Sequence, residues 1–139
     1  PYYDVHISTN AFHWVPNDEK QIYVQKAYQC LKTGGRLAIW CGAKLADDDE
    51  AKKIGVYAFD RKGYQDLFQK IGLFGRVLVE ERMFPNRLES FEEFKRWFKA
   101  STHQDLNDYP QLMEKYVTTD DNGRVTLDLP FISINARKD

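Results

Sequence analysis

Residues 3–42 read YDVHISTNAFHWVPNDEKQIYVQKAYQCLKTGGRLAIWCG, and their order of patterns decides the fold. Tyr3 to Thr9 is rich in β-formers, as a buried parallel strand is. Asn10 to Pro16 is a polar and aromatic turn. Asn17 and Asp18 are helix N-cap candidates, and Glu19 suits the positive helix start. Val24, Ala27, Tyr28 and Leu31 share one helical face. Lys32 and the Gly34–Gly35 pair read as the helix stop. Arg36 to Cys41 is a second apolar strand. The result is a β-α-β unit with parallel strands and a right-handed crossover. Such units bind ligands at the carboxyl ends of their strands.

Working outward, Asp47 to Lys53 is a charged stretch that reads as a solvated helix or loop. Asp60 caps a helix carrying Tyr64, Leu67, Phe68 and Ile71, with Gly72 as its stop. Arg76 to Met83 is a strand. Ser90 and Glu93 form a capping box, and Phe91, Phe94, Trp97 and Phe98 follow as an aromatic stripe. Another helix is expected over Asp108 to Val117. Asp121, Asn122 and Gly123 make a turn. Arg124 to Arg137 is a long last strand in which Pro130 marks a bulge or an edge position. The expected order is β-α-β-α-β-α-α-β.

The chain has 139 residues, enough for one domain with a real core. Its net charge of -1 gives no sign of a nucleic-acid groove or an anionic membrane surface. The apolar runs are too short to span a bilayer. Cys30 and Cys41 do not make a disulfide framework, so free thiols in a cytoplasmic, reducing compartment are expected. Three scattered histidines and two cysteines carry no zinc signature, so no metal site is expected. The carboxylates from Asp47 to Glu50 read as a solvated charge run rather than a cation site.

The run YDVHISTNAFHWVPND, the LKTGG stop, the RLAIW strand, the YQDLFQKIGLF helix and the closing LPFISINARK together resemble class I S-adenosylmethionine-dependent methyltransferases. The HWV turn and the terminal ARK are similar to the small-molecule branch, with its trans-aconitate and juvenile hormone acid methyltransferases. The resemblance implies an α/β, partial Rossmann-like sheet. Its strands are similar to the family's fourth to seventh, the last antiparallel. ESFEEFKRWFKA resembles the family's helical insertion before the last strand, a lid-like segment at about residues 87–120 of one partial domain. The family's glycine-rich turn has no counterpart, since GxGxxG does not occur here. The chain is therefore expected to be a fragment or processed product, inactive alone.

The resemblance also implies S-adenosylmethionine as cofactor, held by Ser8, Thr9 and Asn10. It implies a small-molecule acceptor, a carboxylate above all, bound by Phe12, His13, Trp14, Trp40 and Trp97. Methyl transfer is an in-line displacement that needs alignment and exclusion of water. A carboxylate acceptor needs no base; a hydroxyl or amine would, and His13 is then the candidate base or orienter. The plainer reading of these residues is packing: His13 and Trp14 against the next helix, Trp40 and Cys41 in the core. Ser8 and Thr9 would then satisfy strand-end backbone groups. The alternative function is a non-catalytic interaction module. An unpaired first strand would form a homodimer or recruit a missing N-terminal half.

Overall fold

A computed structural model of the chain describes residues 1–45 and 48–139, and the chain divides into two units. The first comprises Pro1–Lys44, Val56–Arg82 and Pro130–Asp139. The second comprises Leu45–Gly55 and Met83–Leu129, and so takes in the helical segment expected at about 87–120. Asp47, the first residue of the expected charged stretch, lies outside the described residues.

In the first unit, strand β1 (Tyr3–Thr9) is followed by a 3-10 turn at Phe12–Trp14, helix α1 (Lys20–Cys30) and strand β2 (Leu31–Gly42). β1 and β2 are parallel, with Val5 opposite Arg36 and Thr9 opposite Trp40. Helix α3 (Arg61–Ile71) precedes strand β3 (Arg76–Leu88), and β5 (Val125–Arg137) closes the chain. The strand order is β1-β2-β5-β3, and β5 runs antiparallel to β2. The core of this unit joins Val24 and Ala27 of α1 to Leu37, Ile39 and Cys41 of β2. Tyr64 and Phe68 of α3 and Ile132, Ile134 and Ala136 of β5 complete it.

Two details of the opening unit differ from expectation. α1 begins at Lys20, and neither Asn17 nor Asp18 caps it. Its N-cap is Glu19, without a side-chain bond, and Pro16 O accepts the Glu19 and Lys20 amides. The Gly34–Gly35 pair does not stop the helix either. α1 ends at Cys30, and Leu31 is already extended and paired with Tyr3. The register jumps from Tyr3–Leu31 to Val5–Arg36, so Lys32–Gly35 bulges out of β2. Gly34 takes φ 82° there, and a Cβ on Gly35 would stand 2.8 Å from Lys32 O. Glycine serves a bulge for the same reason it serves a helix stop. The terminal residues tie this corner down. Gly34 N–H donates to Lys138 O and Lys138 N–H to Gly35 O. Lys138 Nζ donates to Tyr28 O (3.0 Å) and Leu31 O (2.8 Å) and lies 4.2 Å from the Tyr28 ring centre. A cation thus caps the negative end of α1.

α3 starts and stops as its sequence predicts. Asp60 Oδ1 accepts from Gly63 N–H at 2.7 Å, and Gly72 closes the helix at φ 64°.

The second unit holds α2 (Asp48–Ile54), α4 (Phe91–Thr102), a 3-10 turn at Leu106–Asp108, α5 (Pro110–Tyr116) and β4 (Val117–Thr119). The single helix expected over Asp108 to Val117 is thus replaced by a shorter one. Pro110 suits its first turn, and the β-branched run from Val117 to Thr119 pairs with Val125–Leu127 instead. β3 runs five residues beyond the expected Met83. The Ser90 cap forms, with Ser90 Oγ accepting from Glu93 N–H; the return bond of the expected capping box is displaced by one residue, Glu93 Oε2 accepting from Glu89 N–H rather than from Ser90. Phe94 and Phe98 are buried with Leu106, Tyr109 and Leu112. Glu50 is also buried, accepting the Gln111 and Leu112 amides. In β5, Pro130 stands between residues that pair with β4 and those that pair with β2, the place for a residue without a backbone donor.

Candidate functional site

The parallel register of β1 and β2 brings their carboxyl ends together, and Asn10 N–H donates to Trp40 O at 2.7 Å. Asn10 takes φ 55°, a left-handed conformation that asparagine tolerates better than most residues. This sharp exit turns the chain into the Phe12–Trp14 turn. There Gly42 N–H, the last amide of β2, donates to His13 Nδ1 at 3.0 Å. The imidazole lies against Gly42, where an added Cβ would sit 3.5 Å from Nδ1. Tyr57 N–H donates to His13 O, tying the turn to the segment before α3.

His13 is buried, and its pKa is lowered to about 4 by loss of solvation and by the Lys20 charge. It is therefore neutral at pH 7, and its proton is on Nε2 because Nδ1 accepts from Gly42. Among the described residues no buried polar side-chain atom lacks a partner, so Nε2, which bonds to no protein group, keeps a solvent-accessible edge. The exposed Trp14 ring lies 5.0 Å from the His13 ring. Trp40 stacks on Phe131, with centroids 5.2 Å apart.

The remaining sequence candidates divide. Thr9 and Asn10 are exposed at the strand end. Ser8 faces the other side of β1, where it is buried, because neighbouring strand residues point to opposite faces. The three do not converge on one surface. Phe12 is fully buried between Tyr23 and Tyr64, so its ring packs the core and has no free face. Trp97 belongs to the second unit. It is partly exposed on α4 and stacked on Phe94 at 6.0 Å.

Sequence reasoning missed Lys20. Its side chain is fully buried, and Nζ donates to Phe12 O (3.1 Å) and to Val15 O. The ammonium also lies 5.1 Å and 5.7 Å from the Phe12 and Phe59 ring centres. Burial lowers its pKa to about 8, against a smaller opposing effect of Cys41. A signal did exist: a lysine opening a helix opposes the helix dipole, which marks it as engaged elsewhere. Nearby, the Cys41 thiol contacts Tyr64 Oη at 3.6 Å. Burial pushes the thiol up to about 11 and the phenol upward too, so both stay protonated. Among the described residues no cluster of His, Cys, Asp and Glu could hold a metal.

No family model matches the chain. It is 29% identical over 85 residues to a Bacillus cereus protein described as an uncharacterized methyltransferase, covering 60% of this chain and 39% of that protein. A putative methyltransferase from Bacillus halodurans superposes on 99% of the chain with a TM-score of 0.60 at 17% identity, 64% of that structure being covered. The chain has the class I methyltransferase fold. Phosphoethanolamine N-methyltransferase 2 of Haemonchus contortus, solved with phosphomonomethylethanolamine and S-adenosylhomocysteine, shares this fold. Its TM-score is 0.52 at 13% identity, with 99% of this chain and 34% of that one covered. The chain spans about two fifths of the length of the curated relative it matches. The methyltransferase fold accounts for the open sheet and its antiparallel last strand; these relatives do not point to the trans-aconitate or juvenile hormone branch in particular.

Proposed function

We propose that this chain supplies the acceptor side of an S-adenosylmethionine-dependent methyltransferase whose acceptor is a small organic carboxylate. The observation that carries the reading is the Gly42 N–H bond to His13 Nδ1. It makes neutral His13 a hydrogen-bond donor through Nε2, suited to orient an acceptor oxygen and unsuited to take its proton. A carboxylate is the acceptor that needs orientation and no base. S-adenosylmethionine, when bound, supplies an electrophilic methyl group on a positively charged sulfur.

The fit to that cofactor rests on the end of β1. Thr9 and Asn10 are exposed there, and among the described residues their side chains have no hydrogen-bond partner, leaving both for a ligand. Trp14 and Trp40 offer aromatic walls that exclude water and tolerate positive charge. The relatives support the activity, since a curated one is described as a methyltransferase and the Haemonchus enzyme was solved with S-adenosylhomocysteine.

The test is methylation of a carboxylic-acid panel by the product of the complete gene, with His13→Phe alongside. Loss of one charge-assisted bond predicts a fall in kcat/KM of about 10- to 100-fold. An unchanged kcat/KM, or methylation confined to amines, overturns the reading. No described helix is long and apolar enough to cross a membrane. Free Cys30 and Cys41 are compatible with the reducing, cytoplasmic setting that this proposal assumes.

A second reading draws on β1, the edge of its sheet, where Tyr3, Val5 and Ile7 expose one apolar face. Such an edge favours strand pairing with a second copy or with an N-terminal half. Light scattering at several concentrations tests it, and a strict monomer counts against it.

A further inference from the structure

A fully buried ammonium is costly, and an apolar side chain would fill the same space without that cost. Among the described residues no carboxylate pairs with Lys20; its partners are two backbone carbonyls and two aromatic faces. The two carbonyls belong to Phe12 and Val15, and His13 and Trp14 lie between them in the chain. Phe12 O also accepts from Val15 N–H at 3.2 Å, so three groups close the turn at one point. Closing it there sets where the imidazole sits, and the Gly42 amide is what meets it.

We propose that Lys20 is a positioning residue for His13, its ammonium clamping the Phe12 and Val15 carbonyls on either side of His13 and Trp14 and so holding the imidazole on the Gly42 amide. The consequence for an acceptor rests on the function proposed above. The clamp itself does not, and it can be tested without methyl transfer. Lys20 is fully buried and its ammonium bonds to Phe12 O and Val15 O rather than to the His13 side chain, so its action is through the backbone. The titratable groups that interact with it are His13 and Cys41, the latter bonded to Tyr64.

The experiment is NMR on the 139-residue chain, wild type and Lys20→Met. It reads the His13 ring nitrogens and the exchange protection of the Gly42 amide. Wild type should show an unprotonated Nδ1, a protonated Nε2 and a protected Gly42. In Lys20→Met, Gly42 should lose at least about tenfold in protection beyond the loss shared by core amides such as Leu37 and Ile39, and the ring nitrogens should average between tautomers. Equal loss at all these amides, with His13 unchanged, makes Lys20 merely structural and overturns the proposal. If Lys20→Met does not fold, wild type is followed from pH 7 to pH 10. Deprotonating Lys20 weakens charge-assisted bonds to neutral ones, so Gly42 protection, corrected for intrinsic exchange, should fall several-fold. Protection constant through the Lys20 titration overturns the clamp.

Discussion

Acid should destabilise this protein through His13 more than through any exposed carboxylate. The imidazole titrates near 6.5 in an unfolded chain and at about 4 in the folded one. Between those values the unfolded state binds a proton that the folded state refuses, so stability falls as pH drops. At pH 4 the unfolded chain gains a factor of about 160 from this group, or about 3 kcal/mol; at pH 5 the loss is about 2 kcal/mol. At pH 7 it is negligible. The control is His13→Asn, whose amide oxygen can accept from Gly42 N–H in place of Nδ1 but does not titrate. Urea melts of both proteins, followed by tryptophan fluorescence, give the difference in stability at pH 7, 5 and 4. With a slope of about 2 kcal/mol/M, the wild-type midpoint should fall relative to the variant by about 1.5 M between pH 7 and pH 4. Exposed carboxylates contribute equally to both proteins and cancel. A difference that stays flat with pH would refute the burial of a neutral His13 and the donor role built on it.

Three further substitutions probe the frame around the site. Lys138→Met removes the cation that caps α1 and covers Tyr28; it should cost about 2 kcal/mol and lower the Tm by about 7 °C in calorimetry. Glu50→Ala leaves the Gln111 and Leu112 amides without their buried acceptor and should cost about 1–3 kcal/mol in chemical denaturation. Ser90→Ala removes the α4 cap and should cost about 1 kcal/mol, read in the same way.

Local side-chain chemistry made much of the fold legible. Asp60 and Gly72 bound α3, and Ser90 with Glu93 opens α4, because a cap acts within three or four residues of itself. Gly34–Gly35 forms a bulge rather than the helix stop its sequence suggests, because a helix stop and a bulge ask the same freedom of glycine. The choice was made by β1 and by Lys138, a hundred residues away in sequence to the nearest ten. The turn from Asn10 to Trp14 was legible as the end of a parallel strand. Its wiring was not. The partner of His13 is a backbone amide, which any residue but proline at position 42 would supply, and the burial of Phe12 and Lys20 follows from packing against Tyr64 and Phe59.

The central claim, that this chain is the acceptor side of an S-adenosylmethionine-dependent methyltransferase, meets its most direct test in calorimetric titration with S-adenosylhomocysteine. The product of the complete gene should bind at micromolar concentrations, and the 139-residue chain should bind weakly or not at all. Absence of binding by the complete product would contradict the methyltransferase assignment, and tight binding by the short chain would contradict the division of the site.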